Sequence, residues 1–348
     1  AQKKRREQCL KDDDKDDDKD DDKNDDKNDD KNDDKDDDKN DDKSDDKNDD
    51  KNDDSNMSND IKSDNEILQS TSKIQVDEYI KGPDKFPLQQ GRFGYLPFVI
   101  QTFIGTDNKQ CQISATSNNL KKDFPCYLRS GIENSKNKSF VGAIADIYSV
   151  YNNDKTMTID NFLKNIIIPN LSLDVFVELQ NGSLITEFLI GNDINIEKYK
   201  DQKIYERLKE NNIEQLKKIA GSYDNFINYL KSSDSNISYE YLWDFLCMKN
   251  SMIFPSGLNI IILDLPLDDI TSNINIICPT NFYSNNKYDD NKNTIILIKK
   301  YEYFEPVYIV IDKGKTSGTS YRTTKMYDPK LMDSIPNLKK IKEMVKNI

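Results

Sequence analysis

Histidine is absent from all 348 residues of the chain. That excludes Ser-His and Cys-His catalysis, histidine-ligated zinc and haem, and the usual proton shuttle near neutral pH. Glycine is scarce, at 12 residues, so glycine-rich phosphate loops are not expected. The five cysteines (Cys9, Cys111, Cys126, Cys247 and Cys278) are odd in number and widely spread, and no pair has C-x-x-C spacing. They read as buried free thiols in a reducing compartment rather than as metal ligands. No apolar run approaches the ~20 residues of a membrane-crossing helix. Ala1–Leu10 has no apolar h-region and does not read as a secretory signal. No metal and no cofactor is expected.

What the chain has in excess is aspartate. It holds 63 Asp plus Glu against 50 Lys plus Arg, a net charge of −13. Residues 11–54 contain 26 Asp and 11 Lys, a net of −15, so the rest of the chain carries only +2. Lysine recurs every fourth residue from Lys11 to Lys51, separated by D-D-D, N-D-D or S-D-D. No apolar residue lies between Leu10 and Met57. With nothing to bury, ordering entropy wins, and residues 1–60 read as a disordered acidic arm. An EF-hand is excluded, because the tract has neither the required Gly nor the terminal Glu. A cation sponge, a polyanion contact for a basic partner and a solvated spacer all fit it, the spacer best.

Residues 61–78 read as a linker and residues 79–348 as one α+β domain. Pro97 fits the first turn of a helix running to Ile104, and Cys111–Arg129 reads as loop. Ser139 caps a predicted helix to Tyr151 with the stripe Phe140, Ala143, Ile144 and Ile147. Thr158 starts another that Pro169 ends, and Ser172 caps one that Asn181-Gly182 interrupts. Residues 195–235 read as a helical insertion over the core, with a break at Gly221. Ser238 caps a short helix with Trp243 beside it, and Trp243, Tyr239, Tyr241 and Phe245 read as core. Leu258–Asp264, Ile274–Cys278, Thr294–Ile298 and Val307–Ile311 read as strands, with a turn near Lys300–Phe304. Tyr321–Met326 reads as one more strand, before a closing amphipathic helix. Helices first and strands later predicts α+β rather than alternating βαβ, with a small, mostly antiparallel sheet.

Several segments together resemble a known family. They are Gly94-Tyr-Leu-Pro97, Cys126-Tyr-Leu-Arg129-Ser-Gly131, Ser139-Phe-Val-Gly-Ala-Ile-Ala-Asp146, Ile277-Cys-Pro-Thr-Asn-Phe-Tyr-Ser284 and Phe304-Glu-Pro-Val307. They resemble, over about residues 90–310, a minor-capsid-like protein segment of nucleocytoplasmic large DNA viruses, related to the skeleton-like minor capsid protein of African swine fever virus. The resemblance implies a viral protein located in the virion or in cytoplasmic viral factories, with a viral capsid or host protein as partner. A fainter similarity is to OTU-type cysteine proteases. Ser139–Asp146 is similar to their C-L-F-R-A-x-A-D helix start, and Tyr303-Phe-Glu-Pro306 to their H-Y-x-P hairpin. That similarity implies a papain/OTU-like helical subdomain followed by the sheet. In that family a helix N-terminus stabilises a thiolate and an imidazole takes the proton. This chain has Ser139 where the Cys belongs and Tyr303 where the His belongs. A phenol, with ordinary pKa near ~10, is a poor base at pH 7. The resemblance therefore implies a pseudoenzyme with Ser139 and Tyr303 in vestigial positions, and a groove suited to a peptide or a ubiquitin-like tail.

The rival readings use other residues. A Ser-Lys dyad would need Lys138 or Lys136 desolvated beside Ser139. A metal-dependent nuclease would need the carboxylates Asp264, Asp268, Asp269 and Asp312 gathered at strand ends. A nucleic-acid interface would use a basic patch of Lys313, Lys315, Arg322 and Lys325, with the lysines of the closing helix (Lys339, Lys340, Lys342 and Lys346). The expectation taken forward is a non-catalytic virion-associated scaffold or host-factor binding module. An OTU-like hydrolase, a nuclease and a nucleic-acid-binding module are the alternatives.

Overall fold

Strands β3 (Leu258–Leu265) and β5 (Asn293–Lys300) are almost uninterrupted apolar runs because both faces of their sheet are covered. Ile260, Ile262, Ile295 and Leu297 face one core; Ile261, Leu263, Ile296 and Ile298 face another. The period of two is intact and carries no polar side. A computed structural model of the chain describes residues 80–114, 119–152, 157–189, 191, 194–249, 253–266, 273–279, 287–313 and 321–348. The acidic arm and the linker lie outside them.

The remaining strands are β1 (Phe93–Tyr95), β2 (Pro125–Ser130), β4 (Asn275–Ile277), β6 (Tyr303–Asp312) and β7 (Tyr321–Thr324). Their order is β1-β2-β6-β5-β3-β4, with β7 also on β6. All pairs are antiparallel except β3 with β5. The fold is mixed helix and sheet, as the pattern predicts, but the sheet does not follow the helices. β1 and β2 come before the main run of helices that begins at Ser139, and β2 falls where the pattern predicts loop. Its six residues, Pro-Cys-Tyr-Leu-Arg-Ser, hold a proline and an arginine, so no run of apolar alternation marks them.

The larger helical layer packs on one face. It comprises α2 (Ser139–Tyr151), after α1 (Phe98–Ile104), then α3 (Ile159–Phe162, continued through a π turn at Leu163–Ile167 and by Ile168–Asn170). Next come α4 (Leu173–Phe176), α5 (Ser183–Glu187), α6 (Lys203–Leu208), α7 (Ile213–Lys231) and α8 (Trp243–Cys247). On the opposite face, Ile100 and Ile104 of α1 join Leu338, Ile341 and Val345 of α10 (Pro336–Lys346), which follows α9 (Pro329–Ser334). No helix among the described residues is long and apolar enough to cross a membrane.

Thr158 and Ser172 accept from Asn161 N–H and Val175 N–H, so these two caps stand where their sequence signals put them. The interruption at Asn181-Gly182 is present too: Gln180, Asn181 and Gly182 all have positive φ. The helix begun at Thr158 ends one residue past Pro169, at Asn170, after a π turn. Two readings need correction. Gly221 does not break α7; the break falls before Asn212, which caps the helix by accepting from Gln215 N–H. Burial of Leu216, Ile219, Phe226 and Leu230 outweighs the ~1 kcal/mol cost of an interior glycine. Nor do residues 195–235 simply lie over the core: Ile219, Phe226, Ile227 and Leu230 share one with Ile260 and Leu297.

The cysteines also need correction. Cys111, at the end of a 3-10 turn (Asn108–Cys111), and Cys126 on β2 form a disulfide, with Cα atoms 5.5 Å apart. Sequence spacing gave no sign of it, since 15 residues separate them and β2 was unrecognised. Cys247 is buried and Cys278 half-buried, both as free thiols. Reduction of the disulfide is expected to destabilise the fold by about 3 kcal/mol, the scale for a loop of this length. Urea denaturation with and without dithiothreitol checks this; Cys126→Ala should reproduce the loss and abolish the response to reductant.

Candidate binding cleft

β6 carries Glu305 and Pro306 in a strand otherwise without charge until Asp312 ends it, and β2 carries an arginine. Both charges are buried: the Arg129 side chain is 0% exposed and that of Glu305 1%. Unpaired charges cannot occupy such positions, and these two meet at 2.5 Å. The rest of the guanidinium is used on main chain. Nε donates to Tyr95 O at 2.8 Å, and Nη2 to the carbonyls of Gly82, Pro83 and Lys85. The second Glu305 oxygen accepts Leu88 N–H at 2.5 Å. Burial pushes the Glu305 carboxyl up from its ordinary value, while Arg129 and Leu88 N–H pull it down. Both residues stand in the motifs quoted above, which imply no role for them. The available signal was a single arginine after Cys126–Leu128 and a single glutamate between Phe304 and Val307, of opposite sign.

One residue before Glu305, Phe304 turns to the other face and packs edge-on against Phe140 of α2, ring centres 5.5 Å apart. Its N–H donates to the Ser139 hydroxyl at 2.8 Å. Ser139 is therefore buried at the first position of α2, with Lys138 rather than Ser139 as the capping residue. Tyr303 lies beside it, so the start of α2 and the start of β6, far apart in sequence, line one cleft with Pro87 and Leu88. The space left is about one water molecule. The two nearby carboxylates are engaged: Glu305 as described, and Glu133 by accepting Ile159 N–H at 2.7 Å. Outside the cleft lining, Tyr239 packs against Phe304, ring centres 5.8 Å apart, and against Trp243 at 5.3 Å. Burial, then Glu240 and Asp264, push the Tyr239 phenol up to about 12.

A second polar contact joins the same two elements. Asp146 of α2 accepts from Tyr308 of β6 and from Lys325 Nζ at 3.0 and 3.1 Å. Lys325 also lies over the Tyr308 ring, 4.2 Å from its centre. Burial raises Asp146 and lowers Lys325, and each charge opposes the shift of the other.

This removes Lys325 from the expected basic patch: its side chain is 6% exposed and paired. Lys313 pairs with Asp123 at 3.1 Å, Arg322 sits half-buried on β7 opposite Ile311, and Lys315 lies outside the described residues. Two lysines of the closing helix are likewise paired with acids, and a third is held by main chain. Lys342 binds Asp333 and Asp290, Lys346 binds Asp290, and Lys340 donates to Phe103 O. Lysines that look solvent-facing in a helical pattern here meet acids from elsewhere in the chain.

The other rival sites do not assemble. Lys138 is turned toward Asp160 at 3.8 Å and away from a dyad with Ser139. Asp264 pairs with Lys299, whose neighbour on β6 is Phe304. Asp312 ends β6 eight residues beyond Phe304, roughly 27 Å along the strand. These two aspartates therefore stand at opposite ends of the sheet; Asp268 and Asp269 lie outside the described residues. No cluster of three or more potential metal-ligating side chains occurs among the described residues. An open groove of about 340 Å³ between the disulfide and the start of α10 has Asp107 as its one charged wall residue among those described.

No family model, no curated protein and no solved structure matches the chain.

Removing one partner of the buried pair should strand the other. Arg129→Met is expected to cost about 3–5 kcal/mol, read from the urea midpoint. Arg129→Lys keeps the charge without the planar fork and is expected to recover only part of the loss.

Proposed function

We propose that this chain is a non-catalytic structural or interaction protein of a large DNA virus: a virion-associated scaffold or host-factor binding module on a pseudoprotease-like fold. The observation that carries the reading is the Ser139 hydroxyl. It stands at a helix start beside the Tyr303 hairpin, the arrangement the OTU resemblance implies. It is buried, and it is used as an acceptor for Phe304 N–H. Where a protease of that type holds an imidazole, this chain presents a phenol, and it has no histidine to recruit from elsewhere. A serine without a base is a very weak nucleophile. The family motifs supply the viral assignment.

Ser139 then has a structural duty. Ser139→Ala leaves Phe304 N–H without its buried acceptor, and is expected to cost about 1–3 kcal/mol. Purified protein is expected not to label with a fluorophosphonate or with ubiquitin vinyl sulfone, and not to cut plasmid with Mg²⁺ or Mn²⁺. Labelling lost in Ser139→Ala, or cleavage lost in Asp264→Asn, would replace the binding reading with an enzymatic one. Steeply salt-dependent DNA or RNA binding would point instead to a nucleic-acid module.

A further inference from the structure

The cleft is narrow because the chain itself stands in it. Pro87 and Leu88 stand beside Ser139 and Tyr303, and most of the bonds that hold residues 82–89 are made to their main chain. Arg129 takes the carbonyls of Gly82, Pro83 and Lys85, and Glu305 takes Leu88 N–H. The guanidinium lies over the Phe86 ring, 5.4 Å from its centre. Leu88 is the fully buried side chain of the segment, Phe86 is half-buried against the core that holds Ile100 and Ile298, and Pro87 between them is exposed.

Two glycines of the quoted motifs are shaped to this segment. A Cβ on Gly131 would stand 2.0 Å from Gln89 O and 2.8 Å from Leu88 O. A Cβ on Gly94 would stand 2.9 Å from a Leu88 methyl. Gly91 N–H and Gly131 N–H complete the seam, donating to Gly131 O and Arg92 O at 2.9 and 2.8 Å. The floor is thus bare where a backbone lies on it, recessed where one apolar side chain enters, and carries a buried pair whose spare donors and acceptor fit peptide groups. Recognition through main-chain groups with one anchoring side chain is how extended peptides are commonly held.

We propose that the Ser139–Tyr303 cleft is a recognition site for an extended peptide with an apolar anchor at the Leu88 position, and that residues 82–89 occupy it in cis. The Arg129–Glu305 pair is the receptor for both. An external peptide binds only as this strap is displaced, so cleft occupancy is set by a competition between two segments of the same chemical kind. This inference rests on the reading of the cleft as a binding groove. Its test measures access and peptide binding rather than hydrolysis, so the two can fail separately.

The test uses the full chain carrying Ser139→Cys as a reporter, reacted with DTNB at pH 8. The rate for the chain with Ser139 intact is subtracted to remove the native thiols. The reporter is expected to react slowly. Adding Gly131→Ala, whose methyl cannot coexist with Gln89 O, is expected to speed it by about tenfold or more. A synthetic peptide of residues 82–92 is expected to restore protection in Leu88→Gly, whose floor still accepts the Gln89 carbonyl, and to leave the strap-intact protein unchanged. Leu88→Gly, which alters the strap and not the floor, should speed the reporter like Gly131→Ala and serves if the latter does not fold. A reporter equally reactive with and without the strap substitutions would overturn the strap. An accelerated Leu88→Gly reporter that the peptide fails to protect would overturn the peptide site.

Discussion

The buried pair of Arg129 and Glu305 is the contact on which the candidate site depends. Taking both charges out of water costs several kcal/mol per ion before their attraction is counted. The fold offsets this by leaving little of either group unsatisfied. The guanidinium meets a carboxylate and four carbonyls, and the carboxylate meets the guanidinium and an amide. Those partners come from the 82–88 segment, β1, β2 and β6. Four stretches of chain are thereby set in register by one interaction, at a place where apolar packing would allow them to slide.

From that point the geometry of the cleft follows through the alternation of β6. Glu305 faces the strap, so Phe304 faces the helical core and its N–H reaches Ser139. Four residues later Tyr308 reaches Asp146. Four strand residues span about 13 Å, and the seven helix residues from Ser139 to Asp146 about 10 Å. α2 therefore runs in the same sense as β6 and is tied to it near the start and midway along. Lys325 brings the chain after β7 to the second tie. The helix is oriented by polar bonds as much as by its apolar stripe, and both ties come from the Ser139–Asp146 segment that carries the family resemblance.

Much of the scaffold was legible along the chain. α2, the Thr158 and Ser172 caps, the kink at Asn181-Gly182, strands β3, β5 and β6 and the closing helix all follow from local periodicity or a side chain bonding its near neighbours. β2 was not legible, because its only marks are charge and proline, which in isolation read as loop. The disulfide went with it: two cysteines become partners only when a strand brings one beside the other. Gly221 was misplaced because propensity is worth about 1 kcal/mol, far less than the burial of one face of α7. The juxtaposition of Ser139 with Tyr303 came from motif resemblance; periodicity alone could not join elements 164 residues apart.

A missing side chain cannot be supplied by any fold, so the exclusion of imidazole chemistry holds whatever the tertiary arrangement. The periods of two and 3.6 belong in the same class, since they arise within a few residues of one another. Which lysine is buried, which aspartate it meets, and which segment lies in the cleft are different in kind. Lys325 and Lys313 look alike in the chain, and one is locked against Asp146 while the other pairs with Asp123 at the surface. Ion pairing acts over a few ångströms between residues that are distant in sequence, and only the packed chain brings those residues within range.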